Sequence, residues 1–150
     1  MPDLKIIKDF PDDFTFGVAT SSYQIEGNSF GNSGLSHWDY FSKIKGNVYN
    51  NESGKIACAH ILNYKEDIKL ISEAGFSAYR FSFSWPRILP DGKGRINQDG
   101  ISFYDKLIDE ILENNLKTFS TLYHWDLPKN FMSQGGWKNR DTTKWFADFT

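Results

Sequence analysis

The chain has 150 residues, with 17 Lys and Arg against 19 Asp and Glu and a formal net charge of -2. Its mean hydropathy is -0.52, no basic cluster offers a field for phosphates, and no apolar run approaches the roughly 20 residues of a spanning helix, so neither nucleic acid nor membrane is expected as a partner. A single Cys, Cys58, excludes an internal disulfide, and Met1 to Asp9 lack the apolar core of a signal peptide, so a cytoplasmic protein is expected.

From Phe14 to Ala19 the sequence reads as a short buried strand ending in small residues. A polar stretch from Gly27 to Lys55 follows, longer than an ordinary connection, and its aromatics (Phe30, Trp38, Tyr40, Phe41, Tyr49) argue for an ordered, packed loop. Between His60 and Ala74, Ile61, Tyr64, Ile68 and Ile71 fall at helical spacing, with Gly75 placed just past the last turn. Ser77 to Trp85 alternates strictly, with Tyr79, Phe81, Phe83 and Trp85 on one face and Ala78, Arg80, Ser82 and Ser84 on the other, which predicts a strand. A turn-rich segment from Pro86 to Gly100 leads to a second amphipathic helix carrying Ile101, Tyr104, Leu107, Ile108, Ile111 and Leu112, stopped by Asn114 and Asn115. A third strand is predicted from Lys117 to His124, then a loop from Asp126, then a helix capped by Asp141 or Thr142. Strand and helix alternate, which implies a parallel α/β arrangement with right-handed crossovers. Three strands are too few to close a sheet into a barrel. Residues 1–150 are therefore read as the N-terminal fragment of one larger α/β domain, about three β/α units of an unclosed sheet.

Arg80 shares a strand face with small residues, opposite the aromatic face that packs on helices. A guanidinium placed inward costs several kcal/mol unless a carboxylate meets it, so an anionic neighbour is expected, either in a structural ion pair or as a catalytic carboxylate that Arg80 keeps ionised. His124 and Trp125 lie at the carboxyl end of the third strand, where α/β barrels place their chemistry. His124 shares parity with Ser120 and Leu122 and is expected to point inward; both it and Trp125 have bland readings, as a satisfied histidine and a core tryptophan. Trp125 otherwise offers a flat apolar face and an indole donor to a sugar ring. Gln24, just after the first strand, can donate and accept together, as reading vicinal hydroxyls requires. Glu26 has no second carboxylate of comparable depth in view and is read as structural.

Other chemistries find no support. His37, His60 and His124 share no metal-ligand spacing and Cys58 has no partner, so no metal and no cofactor is expected. Gly27, Gly31 and Gly34 sit in a long loop and do not open a helix after a strand, which removes a dinucleotide or phosphate loop.

The segment Phe14-Thr-Phe-Gly-Val-Ala-Thr-Ser-Ser-Tyr-Gln-Ile-Glu-Gly27 resembles the N-terminal signature of glycoside hydrolase family 1, the β-glucosidase family. Tyr79-Arg-Phe-Ser-Phe-Ser-Trp-Pro-Arg-Ile88, Thr121-Leu-Tyr-His-Trp-Asp-Leu-Pro128 and Gly135-Gly-Trp-Lys-Asn-Arg140 are similar to three further blocks, in the family's order and spacing from about Phe10 to Thr150. The resemblance implies a (β/α)8 TIM barrel that hydrolyses β-glucosides or β-galactosides with retention, using one glutamate as acid/base and one as nucleophile. It implies that Gln24, His124 and Trp125 hold hydroxyls of the non-reducing sugar, that Arg80 lies against the nucleophile, and that Glu26 is not catalytic. The acid/base block, Asn-Glu-Pro, and the nucleophile block, Glu-Asn-Gly, do not occur in the 150 residues. The chain is thus expected to hold part of a sugar subsite and to be inactive alone; the alternative is a truncated barrel kept as a non-catalytic carbohydrate-binding or docking remnant. The implied partner is a β-glucoside or related sugar, with nothing said of oligomeric state. Ala59, where the family usually has Asp, the run Ile61-Leu62-Asn63, and His37 depart from the pattern and place local loop packing in question.

Overall fold

The computed structural model describes residues 10–150; the segment Met1 to Asp9 lies outside the described residues. Three short parallel strands form one sheet in the order β1 (Gly17–Ala19), β2 (Ala78–Ser82), β3 (Lys117–Thr121), with β2 in the middle. Gly17 registers with Ala78, and Arg80 with Phe119. Six α-helical segments accompany them: α1 (Ser22–Ile25), α2 (His37–Lys43), α3 (His60–Glu73), α4 (Trp85–Ile88), α5 (Gln98–Glu113) and α6 (Thr142–Phe149). The crossovers through α3 and α5 lay both helices on one face of the sheet.

That face holds the larger core, in which Tyr79 and Phe81 of β2 meet Ile68 of α3 and Phe103, Tyr104, Leu107 and Ile111 of α5. The period-two and period-3.6 patterns therefore meet where expected, with one exchange: Phe103 is buried on α5, whereas Leu112 is exposed. Helix α3 stops at the predicted place because Gly75 takes the left-handed conformation (φ 84°) that a side chain resists, and Asn115 does the same after α5.

Three expectations are corrected. The strand expected over Ser77–Trp85 ends at Ser82, because Pro86 has no backbone N–H to give a ladder and suits the first turn of α4. Trp85 consequently leaves the aromatic face of β2 and enters a second cluster with Leu89, Leu127 and Phe131, against which Phe146 and Phe149 of α6 pack. The polar stretch from Gly27 to Lys55 is ordered as its aromatics suggested, yet it contains α2, which begins at a capping box: Ser36 N–H and Oγ–H both donate to Asp39 Oδ2, at 2.7 and 2.9 Å. His37 N–H to the Leu127 carbonyl (2.9 Å) and Lys129 N–H to the Leu35 carbonyl (2.8 Å) pin that loop across the carboxyl end of the sheet.

The third correction concerns parity on β3. Arg80 registers with Phe119 and its Nε donates to Thr121 Oγ1 at 2.8 Å, so Lys117, Phe119 and Thr121 share the face away from the helices. Ser120 lies on the helix side, opposite to the expected assignment. Since β3 ends at Thr121, its alternation does not reach His124 at all.

Candidate functional site

The carboxyl ends of the three strands carry the chain's polar side chains into one region. After β1, the Ser21–Ser22 turn starts α1, whose single turn carries Tyr23 and Gln24. After β3, the chain bends through His124 and Trp125 before Asp126, Leu127 and Pro128 are buried. A cavity of about 360 Å³ opens between these two segments, lined by Ser21, Tyr23, Gln24, Trp38, His124 and Trp125. That volume falls within the roughly 300–1,000 Å³ usual for small-molecule sites. Three of the four residues singled out in the sequence, Gln24, His124 and Trp125, are thus neighbours, although 100 residues separate the two segments. Trp38 was missed; it reaches the cavity from α2, with its ring 6.3 Å from that of Tyr23 and 4.6 Å from that of His37.

Two features of the 121–128 segment set it apart from core packing. Trp125 is 68% exposed, and its φ of 76° puts a bulky residue in the left-handed region, a conformation that costs on the order of 1–3 kcal/mol and is held by its surroundings. Those surroundings are the buried Asp126 to Pro128 run and the backbone bond that His37 N–H donates to the Leu127 carbonyl. The core reading of Trp125 is therefore not the one the structure adopts. His124 Nδ1 is buried and has no protein hydrogen-bond partner among the described residues, leaving the imidazole unsatisfied by its own fold.

Arg80 does not line this cavity. It is exposed on the sheet face away from the helices, and among the described residues no carboxylate forms an ion pair with it. The penalty that demanded an anionic neighbour does not arise, because solvent reaches the guanidinium on an open three-stranded sheet. The same face exposes Phe119, with 52% of its surface accessible.

A buried ion pair lies elsewhere. Arg87 of α4 is 1% exposed and its three donor nitrogens are all used: Nε donates to Glu26 Oε2 at 2.7 Å, one terminal nitrogen to the Phe30 carbonyl at 2.8 Å, the other to the Gly27 carbonyl at 2.9 Å. The Tyr104 hydroxyl donates to Glu26 Oε1 at 2.8 Å and accepts from Ser84 N–H at 2.7 Å. Burial pushes the Glu26 carboxyl upward, and the charge and hydrogen bond of Arg87 pull it back. With both oxygens occupied by protein donors, Glu26 is structural, as expected. Gly27 completes the motif: at φ 80° it leaves no room for a Cβ, which would lie 2.4 Å from the Ile56 carbonyl oxygen.

A second buried carboxylate, Asp126, corrects the expectation that Glu26 has no companion at its depth. Asp126 is 1% exposed; Oδ2 accepts from Ser22 Oγ at 3.0 Å, while Oδ1 has no protein partner among the described residues. Burial raises its carboxyl above the usual range, against the Ser84 and Ser22 hydroxyls. Asp126, Glu26, Arg87 and Asp39 line a small cavity of about 20 Å³ beside the α1 turn.

Comparison with known proteins places this geometry. The model of the family described as Glycosyl hydrolase family 1 matches residues 6–150. The chain is 51% identical over 145 residues to the 1,4-beta-D-glucan glucohydrolase of Thermotoga neapolitana, covering 96% of this chain and 34% of that protein. It is 50% identical over 141 residues to a beta-glucosidase of an Agrobacterium species, covering 93% and 31%. Among solved structures, the family 1 β-glucosidase of Thermotoga maritima superposes with a TM-score of 0.90 at 51% identity, over 93% of this chain and 32% of that one; the same enzyme has been solved in complex with azafagomine and with glucoimidazole. The chain spans about a third of the length of the curated relatives it matches.

Proposed function

Because the chain belongs to glycosyl hydrolase family 1 and corresponds to an N-terminal portion of its TIM barrel, we propose that Gln24, His124 and Trp125 are part of the glycone subsite of a retaining β-glycosidase acting on β-glucosides or β-galactosides. The observation that carries this is their convergence on one cavity, with an exposed indole held in a left-handed conformation and an imidazole that its own fold leaves unsatisfied. A pyranose presents C–H groups on its faces and hydroxyls around its edge. The Trp125 ring suits the first, and the Gln24 amide and the His124 ring, each able to donate and accept, suit the second. Sugar-like inhibitors bound to the Thermotoga maritima relative support a sugar ligand.

Retaining hydrolysis needs two carboxyl groups roughly 5–5.5 Å apart, one to protonate the leaving oxygen and one to attack the anomeric carbon. Glu26 and Asp126 are not proposed for these roles, since both are enclosed by protein and Glu26 has no free oxygen. The strings Asn-Glu-Pro and Glu-Asn-Gly are absent from the 150 residues. The chain alone is therefore proposed to be inactive, and Arg80, on the open sheet face, to be the electrostatic partner of a nucleophile supplied by the rest of a barrel. A cytoplasmic setting is proposed on the sequence alone, from its single cysteine, Cys58.

The test is to incubate the purified chain with an aryl β-glucoside and, separately, to titrate it with glucose and cellobiose. No turnover and no saturable binding are expected, because half a subsite lacks the contacts that repay immobilising a sugar. Turnover above buffer overturns the assignment of the catalytic carboxylates to other segments. Saturable binding without turnover supports the rival reading, a truncated barrel kept as a carbohydrate-binding or docking module.

A further inference from the structure

The two segments that line the cavity touch through one buried carboxylate. Ser22, the first residue of α1, donates its hydroxyl to Asp126 Oδ2 at 3.0 Å and its backbone N–H to Ser82 Oγ on β2 at 2.9 Å. Gln24 is two residues beyond Ser22, in the same single helical turn. Asp126 directly follows Trp125, whose left-handed backbone ends the bend that carries His124. Ser22, Ser82 and Asp126 are all buried. Burial raises the Asp126 carboxyl and the Ser84 and Ser22 hydroxyls pull it back; the contact that ties the two segments is the Ser22 hydroxyl on Oδ2. A four-residue helix has too few internal hydrogen bonds to hold its own orientation. Its direction must be fixed from outside, and the Ser22 contacts to Ser82 and Asp126 do this.

We propose that Asp126 is a positioning residue that sets the Gln24 turn against the His124–Trp125 bend through the Ser22 hydroxyl, a role that rests on the glycone-subsite reading of those three residues. The clamp acts on placement, touching neither the sugar nor the reacting atoms. It makes the two halves of the cavity a single coupled unit, so that a change at Ser22 is felt at Trp125 and a change at Asp126 is felt at Gln24.

The test uses the isotopically labelled 150-residue chain without sugar. The Trp125 indole N–H and the Gln24 side-chain amide are followed by two-dimensional NMR, each assigned by loss of its signal in Trp125→Phe and Gln24→Ala. Ser22→Ala is expected to shift the Trp125 indole signal, and Ser22→Thr, which keeps the hydroxyl, to return it toward its original position. Asp126→Asn is expected to shift the Gln24 amide pair, and the double variant Ser22→Ala with Asp126→Asn to shift neither signal further than Asp126→Asn alone. If Ser22→Ala leaves the Trp125 signal in place while the rest of the spectrum stays dispersed, the clamp is refuted; if Asp126→Asn does not fold, the Ser22→Ala and Ser22→Thr pair decides alone. Because no sugar is present, coupled shifts in this chain, together with hydrolysis indifferent to Gln24 when the chain replaces the matching N-terminal third of the Thermotoga maritima β-glucosidase, overturn the subsite reading and leave the clamp. Uncoupled shifts with Gln24-dependent catalysis do the reverse.

Discussion

Replacing Arg87 by Met removes the only cation within ion-pair distance of Glu26 among the described residues and frees the buried carbonyl of Gly27 and the part-buried carbonyl of Phe30. Glu26 then retains the Tyr104 hydroxyl alone. Breaking one side of a buried pair costs about 3–5 kcal/mol, because the surviving charge is stranded, and each carbonyl left unpaired adds to that. With a urea slope of about 2 kcal/mol per molar for a chain of this size, the unfolding midpoint of Arg87→Met should fall by roughly 1.5–2.5 M. Glu26→Gln should lose a similar amount, since it strands the guanidinium instead. The double variant should be less destabilised than the sum of the two singles by roughly 0.5–3 kcal/mol, because neither charge is then left alone. Pulse proteolysis along a urea series, at low protein concentration, reads all four midpoints. A loss below about 1 kcal/mol for Arg87→Met, or strict additivity in the double variant, refutes the view that this pair locks the first loop onto α4 and α5.

Three further outcomes follow from named residues. Ala59 begins α3 in a left-handed conformation (φ 52°) with no side-chain cap; Ala59→Asp supplies an oxygen there and tolerates that backbone, so the melting temperature should rise by an amount equivalent to about 1 kcal/mol, and an unchanged or lower value contradicts the assignment of the cap. His60 is buried, with Nε2 unpartnered among the described residues and Nδ1 2.6 Å from Asp67, and burial holds its imidazole below the ordinary 6.5. The unfolded chain then binds the proton first, so stability should fall as pH drops through 6.5 toward the depressed folded value, and His60→Gln should flatten that slope; a wild-type chain that gains stability relative to His60→Gln on acidification contradicts it. Trp125→Gly removes an exposed ring and a strained backbone together, so the chain should be more stable by roughly 1 kcal/mol in urea, and destabilisation would mean that the indole is a core residue after all.

The order of strands and helices was legible because each core-forming element carries its own periodicity: Tyr79 and Phe81 at period two, Ile61, Tyr64, Ile68 and Ile71 at helical spacing, with Gly75 and Asn115 marking the stops. The meeting of Gln24 with His124 and Trp125 was legible only through their common place at strand ends and the family blocks that carry them. Helix α2 escaped because its seven residues are too short a run to establish a helical period, although Ser36 followed by Asp39 three residues later is a capping signal that could have found it. Parity does not decide the direction of His124 for a geometric reason, since alternation carries information only as far as the strand runs, and β3 ends three residues earlier. The Glu26–Arg87–Tyr104 network left no local trace, because its partners are 61 and 78 residues apart and their pairing is set by how α1, α4 and α5 pack. Arg80 drew attention instead, since an arginine among small residues on a strand stands out, whereas Arg87 in a turn-rich segment does not.

The glycone-subsite proposal is tested most directly by a chimera in which this chain replaces the matching N-terminal third of the Thermotoga maritima β-glucosidase. Hydrolysis of an aryl β-glucoside is then measured with Gln24, His124 or Trp125 each changed to Ala. The proposal predicts an active chimera in which each substitution lowers kcat/KM by roughly 10-fold or more, as losing one or more hydrogen bonds or a stacking surface of 1.4 kcal/mol would do. A folded chimera whose kcat/KM is unchanged by all three substitutions would contradict it.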